Sequence, residues 1–186
     1  MTEAATVEGS ARVRLFCALR LPDEPLDSLV RWQDRALAGS RARVVSRSNL
    51  HVTLAFLGAR PAVEARAIAG ELRSAAAAAA RPAFDVRGYR ETRSVGMLVL
   101  GDEASRAAAL AEELHGRLEA LQVYRRESRP WLPHLTVIRF RERPRLRPEL
   151  PDLGTFSPSD AALYTSVLRP GGAQYEVLES VPLGGG

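Results

Sequence analysis

A chain of 186 residues is long enough to bury a real core, in one domain or two small lobes. With 46% hydrophobic and 26% charged residues it has the composition of a soluble globular protein. No apolar run approaches the ~20 residues of a membrane helix, and the single cysteine, Cys17, excludes an internal disulfide and a cysteine-based zinc cage. The net charge of +4 comes from arginine alone on the basic side; a lysine-free, alanine-rich chain is what a GC-rich genome gives, so only arginine positions are informative.

In chain order, residues 1–11 read as a flexible tail without the basic-then-apolar layout of a signal peptide, which makes the cytoplasm the default location. Arg12 to Leu21 alternates and predicts a first strand, with Cys17 in its core face. Pro22-Asp23-Glu24-Pro25 opens a helix with acidic residues at the positive end of its dipole; Leu26, Leu29, Val30 and Leu37 form its apolar stripe and Gly39 ends it. Arg41 to Ser46 is a short strand or loop leading to a strand at residues 49–58, in which Phe56 is read as core. A second helix runs from Pro61 to about Ala80, closed by six alanines and Pro82. Ala83 to Tyr89 and Val95 to Leu100 are strands joined by a polar loop.

Asp102 caps a third helix with its stripe at Leu110, Leu114, Leu118 and Leu121; His115, beside that stripe, reads as a boundary or surface histidine. Arg125, Arg126 and Arg129 form a solvated loop in the bland reading; standing just before the next strand, Arg126 and Arg129 are also candidate phosphate ligands. Residues 133–140 are that strand, Arg141 to Pro151 is an exposed connection, and Ala161 to Leu168 and Tyr175 to Leu183 form a closing hairpin around Pro170-Gly171-Gly172. Residues 184–186 are a flexible end. Phe16, Trp32 and Trp131 read as core or cleft wall, and Tyr164 and Tyr175 as hairpin packing. Single helices alternating with hairpins predict an α+β fold with antiparallel sheets in one domain spanning 12–183.

Two strands carry a matched tetrapeptide, His51-Val52-Thr53-Leu54 and His134-Leu135-Thr136-Val137. Alternation puts His51 with Thr53, and His134 with Thr136, on one face of each strand, with the intervening apolar residues toward the core. Two of the chain's three histidines in equivalent settings are hard to read as isolated structural residues. In-line displacement at phosphorus needs one group to activate the attacking oxygen and another to protonate the leaving oxygen. Histidine serves both roles near neutrality, and the threonine hydroxyls can donate to non-bridging oxygens. No metal or other cofactor is required, and two histidines without acidic or cysteine partners at ligand spacing are a poor metal site. Arg139, five residues after His134, would share its face only across a β-bulge.

At these residues the chain resembles the 2H phosphoesterase superfamily, and within it the bacterial RNA 2′,3′-cyclic phosphodiesterases, also called 2′-5′ RNA ligases. The likeness spans Arg14 to Leu183, through Arg14-Leu15-Phe16-Cys17-Ala18-Leu19, Asn49 to Gly58, Pro133 to Thr136 with Arg139, and Leu163-Tyr164 with Leu168 to Tyr175. It departs at Tyr89 to Leu100, which lacks the Phe and Trp often found there. The resemblance implies two pseudo-symmetric lobes whose histidine strands face one cleft. It implies hydrolysis of an RNA 2′,3′-cyclic phosphate end, tRNA-like fragments included, to a 2′-phosphate, with reversible ATP-independent 2′-5′ ligation. It further implies His51 as acid, His134 as base and Arg139 as a phosphate or end-group ligand; a monomer that does not act at a membrane is expected. Competing expectations are a cyclic phosphodiesterase of small nucleotides, such as ADP-ribose or nucleoside cyclic phosphates, and a non-catalytic RNA-binding module.

Overall fold

The computed structural model describes residues 11–184, so the tail expectations for 1–10 and 185–186 lie outside the described residues. Among the described residues three α-helices and eight strands follow one another: β1 (Arg12–Arg20), α1 (Asp23–Ala36), β2 (Arg43–Val44), β3 (His51–Pro61), α2 (Ala65–Ala78), β4 (Phe84–Glu91), β5 (Val95–Asp102), α3 (Arg106–Ala120), β6 (His134–Arg139), β7 (Asp160–Arg169) and β8 (Gly172–Val181). The strands form two four-stranded sheets, β3-β1-β7-β8 and β2-β6-β5-β4, antiparallel throughout. The fold is α+β, as expected. One histidine strand lies in each sheet, and β3 and β6 pack against each other where the sheets meet.

One apolar core joins both sheets and all three helices. Leu15, Cys17 and Leu19 of β1, Leu29 of α1, Ile68 and Leu72 of α2, Leu110 and Leu114 of α3, and Leu135 and Val137 of β6 belong to it. Burial pushes the Cys17 thiol up to about 12, in keeping with inert core packing. Asp102 caps α3 as its position predicts. Its carboxylate accepts the N–H groups of Ala107 and Ala108 at 2.9 and 2.8 Å, across a 3-10 turn at Glu103–Ser105. The alanine run closes α2 tightly: Ala75 and Ala76 are buried, and Gly184 donates its N–H to the Ala76 carbonyl at 2.9 Å.

Three readings of the sequence are corrected. His115 is not at the surface; it is 3% exposed, and its Nε2–H donates to the Leu54 carbonyl at 2.8 Å. Phe56 is not core; it is 53% exposed. The 141–151 connection is irregular, as expected, but it is tethered. The buried Glu91 carboxylate accepts from the Arg143 guanidinium and from the N–H groups of Arg145 and Leu146, while Trp32 of α1 donates to the Glu149 carbonyl.

Burial alone would raise the Glu91 pKa, but these donors and the Tyr89 hydroxyl outweigh it and hold the carboxyl below its usual range. A depressed carboxylate pKa stabilises the fold above the unfolded pKa, and this contribution is lost as pH falls through the folded value. Glu91→Gln should therefore cost about 1–3 kcal/mol at pH 7 and much less near pH 3, checked by urea unfolding at both pH values.

Candidate active site

A cleft of about 530 Å³ opens between the two sheets, and His51, Thr53, His134 and Thr136 all line it. The alternation read from the two tetrapeptides therefore brings together all four side chains. Each strand then departs from regular alternation at the same place. In β3 the register against β1 passes from Thr53↔Ala18 to Ala55↔Cys17, leaving Leu54 as an extra residue. In β6 the register against β5 passes from Thr136↔Met97 to Ile138↔Gly96, leaving Val137 extra. Leu54 with Ala55, and Val137 with Ile138, are consecutive buried residues, which is what a one-residue bulge produces. Beyond each bulge the faces are exchanged. Phe56 and Arg139, each five residues after its histidine, thus reach the cleft.

The bulges are held from behind by buried polar side chains on the helices. His115 of α3 donates to the carbonyl of Leu54, and Trp131 donates its indole N–H to the adjacent Thr53 carbonyl at 3.0 Å. Gln33 of α1, 2% exposed, donates its amide to the carbonyls of Val137 at 2.9 Å and Val45 at 3.1 Å. A bulge leaves a carbonyl outside the regular ladder, and a buried carbonyl needs a donor. One helix side chain donates on each strand, on β6 beside the Val45 N–H, which also reaches the Val137 carbonyl at 3.0 Å.

The imidazoles are oriented in matching ways. His134 donates Nδ1–H to the Leu132 carbonyl at 2.8 Å, so Nε2 is the nitrogen left for a ligand. The Asn49 carbonyl, also two residues upstream, favours the charged ring of His51. His51 lies among aromatic rings, with Phe16 at 5.0 Å between centroids, Tyr175 edge-on at 5.4 Å and Tyr164 at 5.8 Å. Burial there pushes its pKa down to about 4; the Asn49 carbonyl opposes the shift, and the Arg139 and His134 charges add to it. In the free protein His51 is therefore neutral at pH 7.

The arginines divide cleanly. Arg139 lines the cleft, together with Arg14 and Arg43, and the Arg14 guanidinium lies over the Phe56 ring at 5.5 Å. Arg126 and Arg129 do not line it. They are bound by carboxylates, Arg126 by Glu112 and Glu119 and Arg129 by Glu127. Nearness in sequence to β6 did not carry them to the cleft. Arg14, Arg43, Asn49, Ser166 and Tyr175 line it without having been singled out as site residues. Their strands and turns meet only in the folded chain, though the alternation of β1 does place Arg14 and Phe16 on one face. Among the described residues no group of three or more His, Cys, Asp or Glu side chains is placed to hold a metal ion, and no helix is long and apolar enough to cross a membrane.

The arrangement can flank one phosphate with two imidazoles and two hydroxyls, with arginine at the margin and an exposed aromatic ring on one wall. Known proteins share this fold. A solved structure of TT0787 from Thermus thermophilus is 31% identical, with a TM-score of 0.77, over 91% of this chain and 97% of its own. The apo structure of Escherichia coli LigT is 25% identical, with a TM-score of 0.74, over 95% and 100% of the two chains. The RNA 2′,3′-cyclic phosphodiesterase of Escherichia coli (strain K12) is 27% identical over 173 residues, 89% of this chain and 94% of its own. The model of the LigT-like phosphoesterases matches residues 19–93, from the end of β1 through the first histidine strand into the β4–β5 loop. With that match and relatives that run the length of both lobes, the chain is similar to the LigT-like phosphoesterases.

Proposed function

We propose that the protein is a cyclic phosphodiesterase that opens 2′,3′-cyclic phosphate ends of RNA to 2′-phosphomonoesters, using its own histidines as acid and base and no metal. The observation that carries this reading is the convergence of His51 and His134, each with its threonine, on one cleft from two different sheets. The Escherichia coli relative supports the substrate class, since its name describes action on RNA 2′,3′-cyclic phosphates.

On this reading the cyclic phosphate lies between the imidazoles. A water oxygen attacks phosphorus and gives its proton to His134. The P–O3′ bond breaks, and O3′ leaves as a hydroxyl with a proton from His51. Thr53 and Thr136 donate to the non-bridging oxygens as negative charge builds on them. Phe56 offers a wall on which a base can stack, and Arg139 supplies positive charge beside the phosphate. With an RNA 5′-hydroxyl attacking phosphorus in place of water and O3′ leaving as before, the same groups would form a 2′-5′ linkage without ATP. The single domain spanning 12–183, acting as a monomer in the cytoplasm, belongs to the same proposal.

His51 can donate a proton only if the bound phosphate anion raises its pKa, since in the free protein it is depressed. The acidic limb of kcat/KM, which reports the free enzyme, should therefore fall near pH 4, whichever histidine is the acid. The limb of kcat, which reports the complex, should lie at higher pH. Coincident limbs near ~6.5 in both profiles would contradict the desolvated state of His51. The reaction itself is tested by incubating short RNA ending in a 2′,3′-cyclic phosphate in EDTA, beside ADP-ribose cyclic phosphate. Turnover of the RNA, with none of the ADP-ribose derivative, is expected. The reverse preference would make the protein a small-nucleotide enzyme, and binding of RNA without turnover would make it a binding module.

A further inference from the structure

A second groove, of about 720 Å³, continues from the mouth of the cleft, and the two share Arg43, Asn49, Gly172, Ala173 and Tyr175 as walls. It runs between the turn that precedes β3, carrying Ser46 and Ser48, and the start of β8, with Arg169 and Gln174 on the hairpin side. Glu176 is the one carboxylate lining it. The groove is braced where it meets the cleft: Asn49 donates its side-chain amide to the Ala173 carbonyl at 3.0 Å. The Arg43 guanidinium lies across Gly172, at φ +116, and a Cβ there would collide with it. That backbone conformation favours glycine.

The charges at this junction make little sense without an anion. Arg43 of β2 and Arg139 of β6 are direct cross-strand partners, and both line the cleft. Like charges directly opposite in a sheet destabilise it. Neither they nor Arg169 takes part in any ion pair among the described residues. Nearby Arg47, by contrast, is bound by Asp23 and Asp27.

We infer that this groove is a binding site for the RNA backbone 5′ to the cyclic end, with Arg43, beside Arg139 at the cleft, meeting the first internal phosphate and Arg169 the next. The inference rests on the proposed reaction and deepens it. The histidines read the cyclic phosphate, which every cyclic nucleotide has, whereas the groove reads the chain that only an RNA has. The polar, arginine-containing walls suit a phosphodiester strand, and the direct opening into the cleft suits a strand whose end is being cleaved.

The test compares a nucleoside 2′,3′-cyclic phosphate with a trinucleotide carrying the same end, in the wild type and in the double variant Arg43→Ala, Arg169→Ala. The wild type should prefer the trinucleotide by about tenfold or more in kcat/KM, and the double variant should bring that ratio close to one. The salt dependence of trinucleotide binding should become shallower by about 1.4 in slope, ~0.7 for each lost phosphate contact. A wild type indifferent to length, or a variant that keeps the full preference, would overturn the groove while leaving the reaction standing. If neither substrate turns over, the reaction is wrong, and anisotropy with a labelled trinucleotide decides the groove: weaker binding and a shallower slope in the variant support it, and unchanged binding overturns it.

Discussion

Replacing either His51 or His134 by alanine should lower turnover of a cyclic-phosphate RNA by about 10²–10⁴-fold, the range for losing a positioned acid or base. Replacing both should cost little more than the worse single change. Acid and base serve one concerted displacement, so once one proton has no route the other group has nothing left to assist. That lack of additivity separates a catalytic pair from two independent binding residues, whose losses would multiply. Neither substitution should unfold the protein. Both rings are half-buried at the cleft, and the apolar residues that flank them, Val52, Leu54, Leu135 and Val137, carry the packing. His51→Ala should even relieve a strain at low pH. A histidine whose folded pKa is about 4 favours unfolding as pH falls from ~6.5 toward that value, because the unfolded chain takes up the proton first. Steady-state kinetics of both single variants and the double, with unfolding curves at pH 5 and pH 7, check all of this.

Gln33→Leu has the second large effect, and it reaches both stability and catalysis. Its amide is buried and serves two carbonyls, those of Val45 and Val137. Val137 has another donor in the Val45 N–H at 3.0 Å; no such second bond supports Val45. Leaving buried acceptors short of donors costs about 1–3 kcal/mol each, so a loss of about 2–4 kcal/mol is expected. The kinetic consequence is more specific. Val137 is the extra residue that turns Arg139 onto the histidine face, so a slackened bulge misaims Arg139 without removing it. Gln33→Leu should therefore raise KM for RNA. In a double-mutant cycle with Arg139→Ala, its kinetic effect should largely vanish, because there is no longer an arginine to misaim. A substitution that merely loosened the fold would add its full effect to that of Arg139→Ala. His115 is the counterpart behind Leu54 and Phe56, and a cycle between His115 and Phe56 should behave alike.

These two variants also mark how far the sequence could be read. The histidine strands were legible because two short patterns matched and strand alternation places a histidine and its threonine together whatever the rest of the chain does. Helix α3 was legible from Asp102 and its leucine stripe. The position of Phe56 was not, because its face depends on a bulge at Leu54, and that bulge is held by His115, distant in sequence and read as a surface residue. For Arg139 the same uncertainty could be stated as a condition, and the bulge at Val137 meets it. Arg126 and Arg129 looked well placed because they precede β6, but Glu112, Glu119 and Glu127 hold them elsewhere. Arg43 and Tyr175 were missed as cleft residues for the opposite reason. Nothing local marks them, and they meet the site only through sheet order and the β7–β8 hairpin.

Opening of a cyclic phosphate by two histidines without a metal is read from the product by ³¹P NMR. A short RNA ending in a 2′,3′-cyclic phosphate is incubated with the wild type in EDTA. The cyclic resonance should give way to that of a 2′-phosphomonoester, and should persist with the His51→Ala, His134→Ala double variant. A cyclic resonance that disappears with the double variant as fast as with the wild type, or that yields only when metal is restored, would contradict metal-free opening by the two histidines.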